Sequence, residues 1–166
     1  MSTEKQRTVH PSNDKWIVPQ EILNKLGEFD LDVYAPFNRP WDVARYNYTI
    51  IDDGLNKPWY GKVFCHPPDG KLTYSWLEKC ARYGSCIALV YAKTDSAYFQ
   101  SIIMKYASAA LFIRGRVKFH YTDGSKADSA PLPSMLVAFD AKNAKVLENS
   151  GIEGSFVWLN KWQDLE

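Results

Sequence analysis

Three polar stretches of this 166-residue chain carry side chains able to do chemistry, and each lies beside an apolar run. Asp30-Leu31-Asp32-Val33-Tyr34-Ala35-Pro36 holds two carboxylates, and Asp52-Asp53-Gly54-Leu55 holds two more. Cys65-His66-Pro67-Pro68-Asp69-Gly70 sets an imidazole and a carboxylate on either side of a double proline. A carboxylate beyond a strand end accepts hydrogen bonds from ligand hydroxyls or pairs with an ammonium. Consecutive prolines forbid helix and leave carbonyls free to face a ligand. A fourth stretch, Arg114-Gly115-Arg116-Val117-Lys118-Phe119-His120, groups cations around a glycine, with Arg116, Lys118 and His120 expected on one strand face. Contact with phosphates is its functional reading, and an edge strand protected by charge is the plainer one. The acids have a plain alternative too, as exposed loop carboxylates or helix caps.

The elements that must position these groups follow from the apolar spacing. Pro19 opens a segment with Ile22, Leu23 and Leu26 at helical spacing, closed by Gly27. Phe29 to Tyr34 alternates as a strand whose polar face holds Asp30, Asp32 and Tyr34. Residues 35–58 carry Pro36, Pro40, Gly54 and Pro58 and read as a long loop. A strand at Gly61 to Cys65 precedes a helix over Thr73 to Tyr83, where Ser75 and Glu78 stand at capping-box spacing. Cys86 to Tyr91 is a short apolar run of the kind buried on both faces in a parallel sheet. Thr94 or Asp95 can cap a helix through Tyr106, in which Phe99, Ile102, Ile103 and Tyr106 keep the apolar period. Strands at Ala109 to Ile113, Arg116 to Tyr121 and Met135 to Phe139, a turn at Asp123-Gly124 and a helix over Lys142 to Glu148 complete the pattern. Strands alternating with helices predict βαβ units, hence a single-domain α/β fold with a mostly parallel sheet. Such sheets bind ligands beyond the carboxyl ends of their strands, where the first three stretches fall.

Composition bounds the class of protein but is silent on its function. At 46% hydrophobic and 23% charged residues the chain is a folded globular domain, long enough for one core. No apolar run approaches the roughly 20 residues of a spanning helix, so no membrane partner is expected. Residues 1–15 are polar with mixed charge and read as a flexible lead-in to one domain over 16–166, not as a signal peptide. Cys65, Cys80 and Cys86 are odd in number, lack C-x-x-C spacing and sit in apolar segments, which favours reduced core thiols in a cytoplasmic protein and no metal site. With 20 Lys plus Arg against 19 Asp plus Glu, net charge gives no sign of nucleic-acid binding, although a basic groove can exist within a neutral total.

Motif order is more informative. Lys15-Trp16-Ile17-Val18-Pro19, Phe29 to Ala35, Asp53-Gly54-Leu55, Trp59, Pro67-Pro68, a helix, Lys93-Thr94-Asp95 and Ile113 to Phe119 follow one another over most of the chain. In this order they resemble the phage-type DNA N-6-adenine methyltransferases. The resemblance implies a Rossmann-like methyltransferase fold and transfer of a methyl group from S-adenosylmethionine to the exocyclic amine of adenine in double-stranded DNA. It further implies a phage- or prophage-encoded enzyme in a bacterial cytoplasm. It places Trp16 and Pro19 near the cofactor and maps the first-strand acid onto Asp32, or else Asp30, with Ala35 in the same motif and Asp53 as a further cofactor contact. Arg114, Arg116 and Lys118 become candidates for DNA phosphates. Trp41, Trp59 and Tyr60 can stack on an extruded base, because an enzyme acting on a duplex base must take it out of the helix. Such aromatics otherwise close a core. A domain this small leaves little room for a separate target-recognition domain, so loose specificity or a homodimer is expected.

The catalytic signature of that family is an Asp or Asn, two prolines, then a Tyr or Phe, and this chain has His66-Pro67-Pro68-Asp69. An adenine amine is a poor nucleophile because its lone pair is delocalised into the ring. In the family the first residue and a proline carbonyl accept its hydrogens and localise that pair. Neutral His66 offers one acceptor nitrogen and protonated His66 offers none. Asp69 cannot stack as a ring does, and its charge beside a base is costly to desolvate. Three functions stay open. The protein methylates DNA with His66 and a ring from Trp59, Tyr60 or Tyr74; or it binds cofactor or nucleic acid without methyl transfer; or it modifies another substrate with His66 as general base. The first predicts activity that falls as pH drops through the histidine range near about 6.5. All three need Asp32 and the double-proline corner to converge on one pocket.

Overall fold

The computed structural model describes residues 16–160, in which one seven-stranded sheet carries the fold. The elements run α1 (Gln20–Leu26), β1 (Phe29–Asp32), β2 (Ala44–Asn47), β3 (Val63–Cys65), α2 (Thr73–Tyr83) and β4 (Cys86–Tyr91). They continue as α3 (a π-helical turn, Phe99–Ile103, running into Met104–Tyr106), β5 (Ala109–Ile113), β6 (Lys118–His120), β7 (Lys126–Ser129), β8 (Ser134–Ala138), α4 (Ala141–Glu148) and β9 (Gly154–Trp158). The expected lead-in at residues 1–15 lies outside the described residues.

Strand order across the sheet is β2-β1-β3-β4-β8-β5-β9. The first four strands are parallel, whereas β8 is antiparallel to both β4 and β5, and β9 is antiparallel to β5. The sheet is therefore mixed where a mostly parallel one was expected. The reversal comes after β5, where the chain passes through the separate hairpin β6–β7 and β8 then enters between β4 and β5; β1, β2 and β3 are also joined without helices, yet their longer loops bring the chain back to pair parallel.

Both faces of the sheet are covered. Val63, Cys65, Ala88, Val90, Met135 and Val137 pack beneath α2 and α3, while Phe64, Ile87, Leu89, Leu136 and Ala138 pack against α1, α4 and the hairpin. This alternation is why every residue of β4 is buried. It also buries the face of β1 expected to be polar, leaving Asp32 only 3% exposed. No side-chain cap starts α2, so the expected capping box at Ser75 and Glu78 is not used; Glu78 instead pairs with Arg82 at 2.9 Å. Ser96 rather than Thr94 or Asp95 caps the turn leading into α3, its Oγ accepting the Phe99 amide at 3.2 Å.

Candidate active site

Strands β1 and β3 end side by side, with Asp32 in register with Phe64 and His66 two residues beyond that partner. Side chains alternate along a strand, so Asp32, Phe64 and His66 leave the sheet on one face. There they line a common pocket with Trp16, Val18, Arg39 and Trp41. Its wall is built by a short strand pairing outside the main sheet. The Ile17 amide donates to the His120 carbonyl at 2.8 Å and the His120 amide returns the bond at 3.0 Å, so the Trp16 segment lies along β6. Trp41 braces the segment through Nε1, which donates to the Val18 carbonyl at 3.1 Å. The enclosed space is about 20 Å³, room for about one water. Sharing Tyr34 and Pro36 with it, a more open cleft of about 320 Å³ is bounded by Ala35, Phe37 and Ile50.

Burial sets the electrostatics. One Asp32 carboxylate oxygen accepts the Tyr34 amide at 3.1 Å. Desolvation pushes its pKa up to about 7, with the Tyr34 bond and the Arg39 guanidinium pulling partly the other way. The Arg39 side chain is held by Asp42 at 2.7 Å and by the Pro36 carbonyl at 3.1 Å. Burial acts on His66 in the opposite sense, taking its pKa down to about 4, because desolvation disfavours imidazolium. The His66 ring lies nearly parallel to Phe119, with 5.3 Å between centroids and 4° between planes. Trp16 packs on that phenyl ring at 5.1 Å, and its buried Nε1 has no hydrogen-bond partner among the described residues.

The double-proline corner is tied to α2. Thr73 Oγ1 donates to the Pro68 carbonyl at 2.7 Å and accepts the Gly70 amide at 3.1 Å. Pro67 is buried, and its carbonyl accepts no hydrogen bond among the described residues. Asp69 forms a two-oxygen ion pair with Lys93, at 2.7 and 2.9 Å, and lines a small cavity together with His66, Pro67 and Phe119.

Trp16, Asp32 and His66 thus meet at one place, with Ala35 in the adjoining cleft. Asp30 lies at the amino end of β3, where its carboxylate accepts the Lys62 amide at 2.7 Å. Asp53 sits in an exposed turn at φ 57°, its carboxylate accepting from the Asn56 amide group at 2.7 Å. Pro19 is buried at the start of α1. Trp59 is buried beneath α2, near-parallel to Trp76 at 6.4 Å, and its Nε1 donates to the Gly54 carbonyl at 2.8 Å. Tyr60 is exposed beside Tyr46, and Tyr74 lines a groove between α2 and α3. None of these three rings reaches the pocket of Asp32 and His66. Arg114, Arg116 and Lys118 are exposed on the approach to β6 and along it, whereas His120 turns inward, its Nδ1 2.9 Å from the Gly124 carbonyl and its ring edge-on to Trp41. Sequence reasoning missed Arg39, Phe119 and Lys93 as parts of the site. Of these only Phe119 carried a signal, its place on the apolar side of an alternating strand.

An acid and an imidazole stand at the ends of adjacent parallel strands, the place where open α/β sheets take ligands. The model of the DNA N-6-adenine-methyltransferase (Dam) family matches residues 5–156, and the chain belongs to that family. No curated protein and no solved structure matches the chain.

Proposed function

We propose that this protein transfers a methyl group from S-adenosylmethionine to the exocyclic amine of adenine in double-stranded DNA, at the pocket shared by Asp32 and His66. The observation that carries the reading is the convergence of these two side chains from separate strands on one cavity, in a chain of the adenine methyltransferase family.

The residues present fit the cofactor. Asp32 is a buried acceptor for hydroxyls or an ammonium, the Trp16 indole N–H is a buried donor without a partner among the described residues, and Val43 and Phe64 give apolar walls. The neighbouring cleft of about 320 Å³ is of the size small-molecule sites have. When bound, the cofactor supplies an electrophilic methyl carbon. The chain does the rest. A His66 pKa near 4 keeps the ring neutral, with one nitrogen able to accept a hydrogen of the adenine amine. By the family pattern the carbonyl of Pro67, which lines a small cavity with His66, would be the second acceptor, localising the amine lone pair towards the reacting carbon. Asp69 takes no part in stacking, because Lys93 holds it. Arg114, Arg116 and Lys118 supply exposed positive charge for phosphates.

The test is incubation of the protein with methyl-labelled cofactor and duplex DNA, followed by nucleoside mass spectrometry. N6-methyladenine is expected with the natural chain and is lost in His66→Ala. The departure at Asp69 favours a second reading, a family member that holds cofactor without transferring methyl groups. Cofactor binding by calorimetry with no methylated nucleoside on varied DNA identifies that case.

A further inference from the structure

The geometry points to Phe119, on the hairpin strand β6, as the positioning residue that fixes the ring plane of His66 and covers one of its faces. The catalytic consequence of this rests on the function proposed above; the contact itself does not. In the family signature an aromatic side chain follows the two prolines, and here Asp69 occupies that place and is tied to Lys93. A ring reaches the corner in space instead. Phe119 is 1% exposed, lies 5.3 Å from His66 with planes 4° apart, and is held on its flank by Trp16 at 5.1 Å. An aromatic face at that separation fixes a neighbour's plane, since offset parallel rings attract and a tilted ring would collide with the packing around it. Parallel packing against Phe119 orients the His66 ring.

The charged groups around His66 are few. Asp32 and Arg39 face it across the pocket from β1 and the loop that follows, and Asp69, paired with Lys93, lies on the side of its own turn. From β6, Lys118 is exposed and His120 is turned to Gly124 and Trp41. Phe119 contributes no charge, and it covers one face of the half-buried His66 ring. Removing the ring uncovers that face of the half-buried imidazole to water and moves its titration towards the ordinary histidine range near about 6.5.

Proton NMR of the full chain tests this, with His66 assigned against His10 and His120 by its loss in His66→Asn. In the natural protein the carbon-bound ring protons of His66 are expected upfield of the other two histidines, displaced by the Phe119 ring current. In Phe119→Leu that displacement disappears and the titration midpoint rises by about one pH unit or more. In Phe119→Tyr, which keeps the ring, both stay near the natural values. An undisplaced His66 resonance in the natural protein overturns the inference, as does an unmoved midpoint in natively folded Phe119→Leu. If Phe119→Leu does not fold, the ring-current displacement in the natural protein decides alone. Where methyl transfer is measurable, the acidic limb of its pH profile moves with the midpoint. Absence of transfer in every variant, with the resonances behaving as expected, leaves Phe119 in its role and removes only the proposed reaction.

Discussion

Replacing Asp32 by Asn should change how stability depends on pH, because the carboxyl pKa is about 7 in the folded chain against an ordinary value of 3.8. The folded state therefore keeps a proton that the unfolded chain has already released at intermediate pH. Stability falls as pH rises wherever the native state binds more protons, so this group lowers stability progressively from about pH 4 up to its folded pKa near 7. The whole interval, at 1.36 kcal/mol per pH unit, corresponds to about 4 kcal/mol. Between pH 5 and pH 8 the remaining two units amount to about 3 kcal/mol. Asparagine has the shape and no titration, so the stability of Asp32→Asn minus that of the natural chain should grow by about 3 kcal/mol across that range. His66 contributes with the opposite sign. Its folded pKa near 4 lies below the ordinary 6.5, so its contribution rises with pH between those values and offsets Asp32 in the natural chain. The natural protein should be nearly flat from pH 5 to 6.5, and Asp32→Asn should climb by about 2 kcal/mol over the same range. Urea unfolding followed by tryptophan fluorescence at half-unit pH steps measures both curves. Two parallel curves from pH 5 to 8 would refute the burial argument for Asp32.

Cofactor affinity measured by calorimetry should show a pH transition near 7 in the natural chain that is missing from Asp32→Asn, since the carboxyl proton competes with ligand donors. In Asp32→Asn, which removes the carboxyl transition near 7, methyl transfer at saturating cofactor should keep its acidic limb near pH 4, and a fall centred on 6.5 in that variant would show a solvated His66. Asp69→Ala removes an ion pair whose partners are each about 30% exposed, so chemical unfolding should report a loss below about 1 kcal/mol. Arg116→Ala with Lys118→Ala should weaken binding to all duplexes alike and lower the slope of log affinity against log salt by about two, as read by fluorescence anisotropy.

Elements were legible where a period persisted. The uninterrupted apolar run Cys86–Tyr91 and the helical spacing over Thr73–Tyr83 leave one assignment each, and the structure has both with those bounds. Edge strands were not legible. Ala44–Asn47 exposes its two central residues and carries no apolar alternation, so it lay inside the predicted loop, and Gly154–Trp158 went unread. The placement of β6 was hidden for a different reason, since its alternation is real but its partners are β7 and Ile17 instead of the main sheet. Within the site, Asp32 and His66 could be singled out because strand ends are read from local pattern. Arg39 and Phe119 reach them only through tertiary packing. The pKa of His66 was likewise out of reach, because the ordinary value holds for a solvated ring and burial lowers it.

The two departures from the family signature are explained by one electrostatic principle. A carboxylate or a charged imidazole in so closed a pocket carries a heavy desolvation penalty, whereas a neutral imidazole carries little and still presents an acceptor nitrogen. Burial holds the His66 pKa near 4 and so keeps it in that neutral form. The carboxylate that the sequence sets after the prolines is paired with Lys93, which balances its charge beside the His66 corner. The hairpin strand that contributes Phe119 inward also carries Lys118 outward, by the simple alternation of a strand. Ring shielding and surface charge therefore come from consecutive residues, so a shift of β6 by one residue in register would put Lys118 against His66 and abolish both at once.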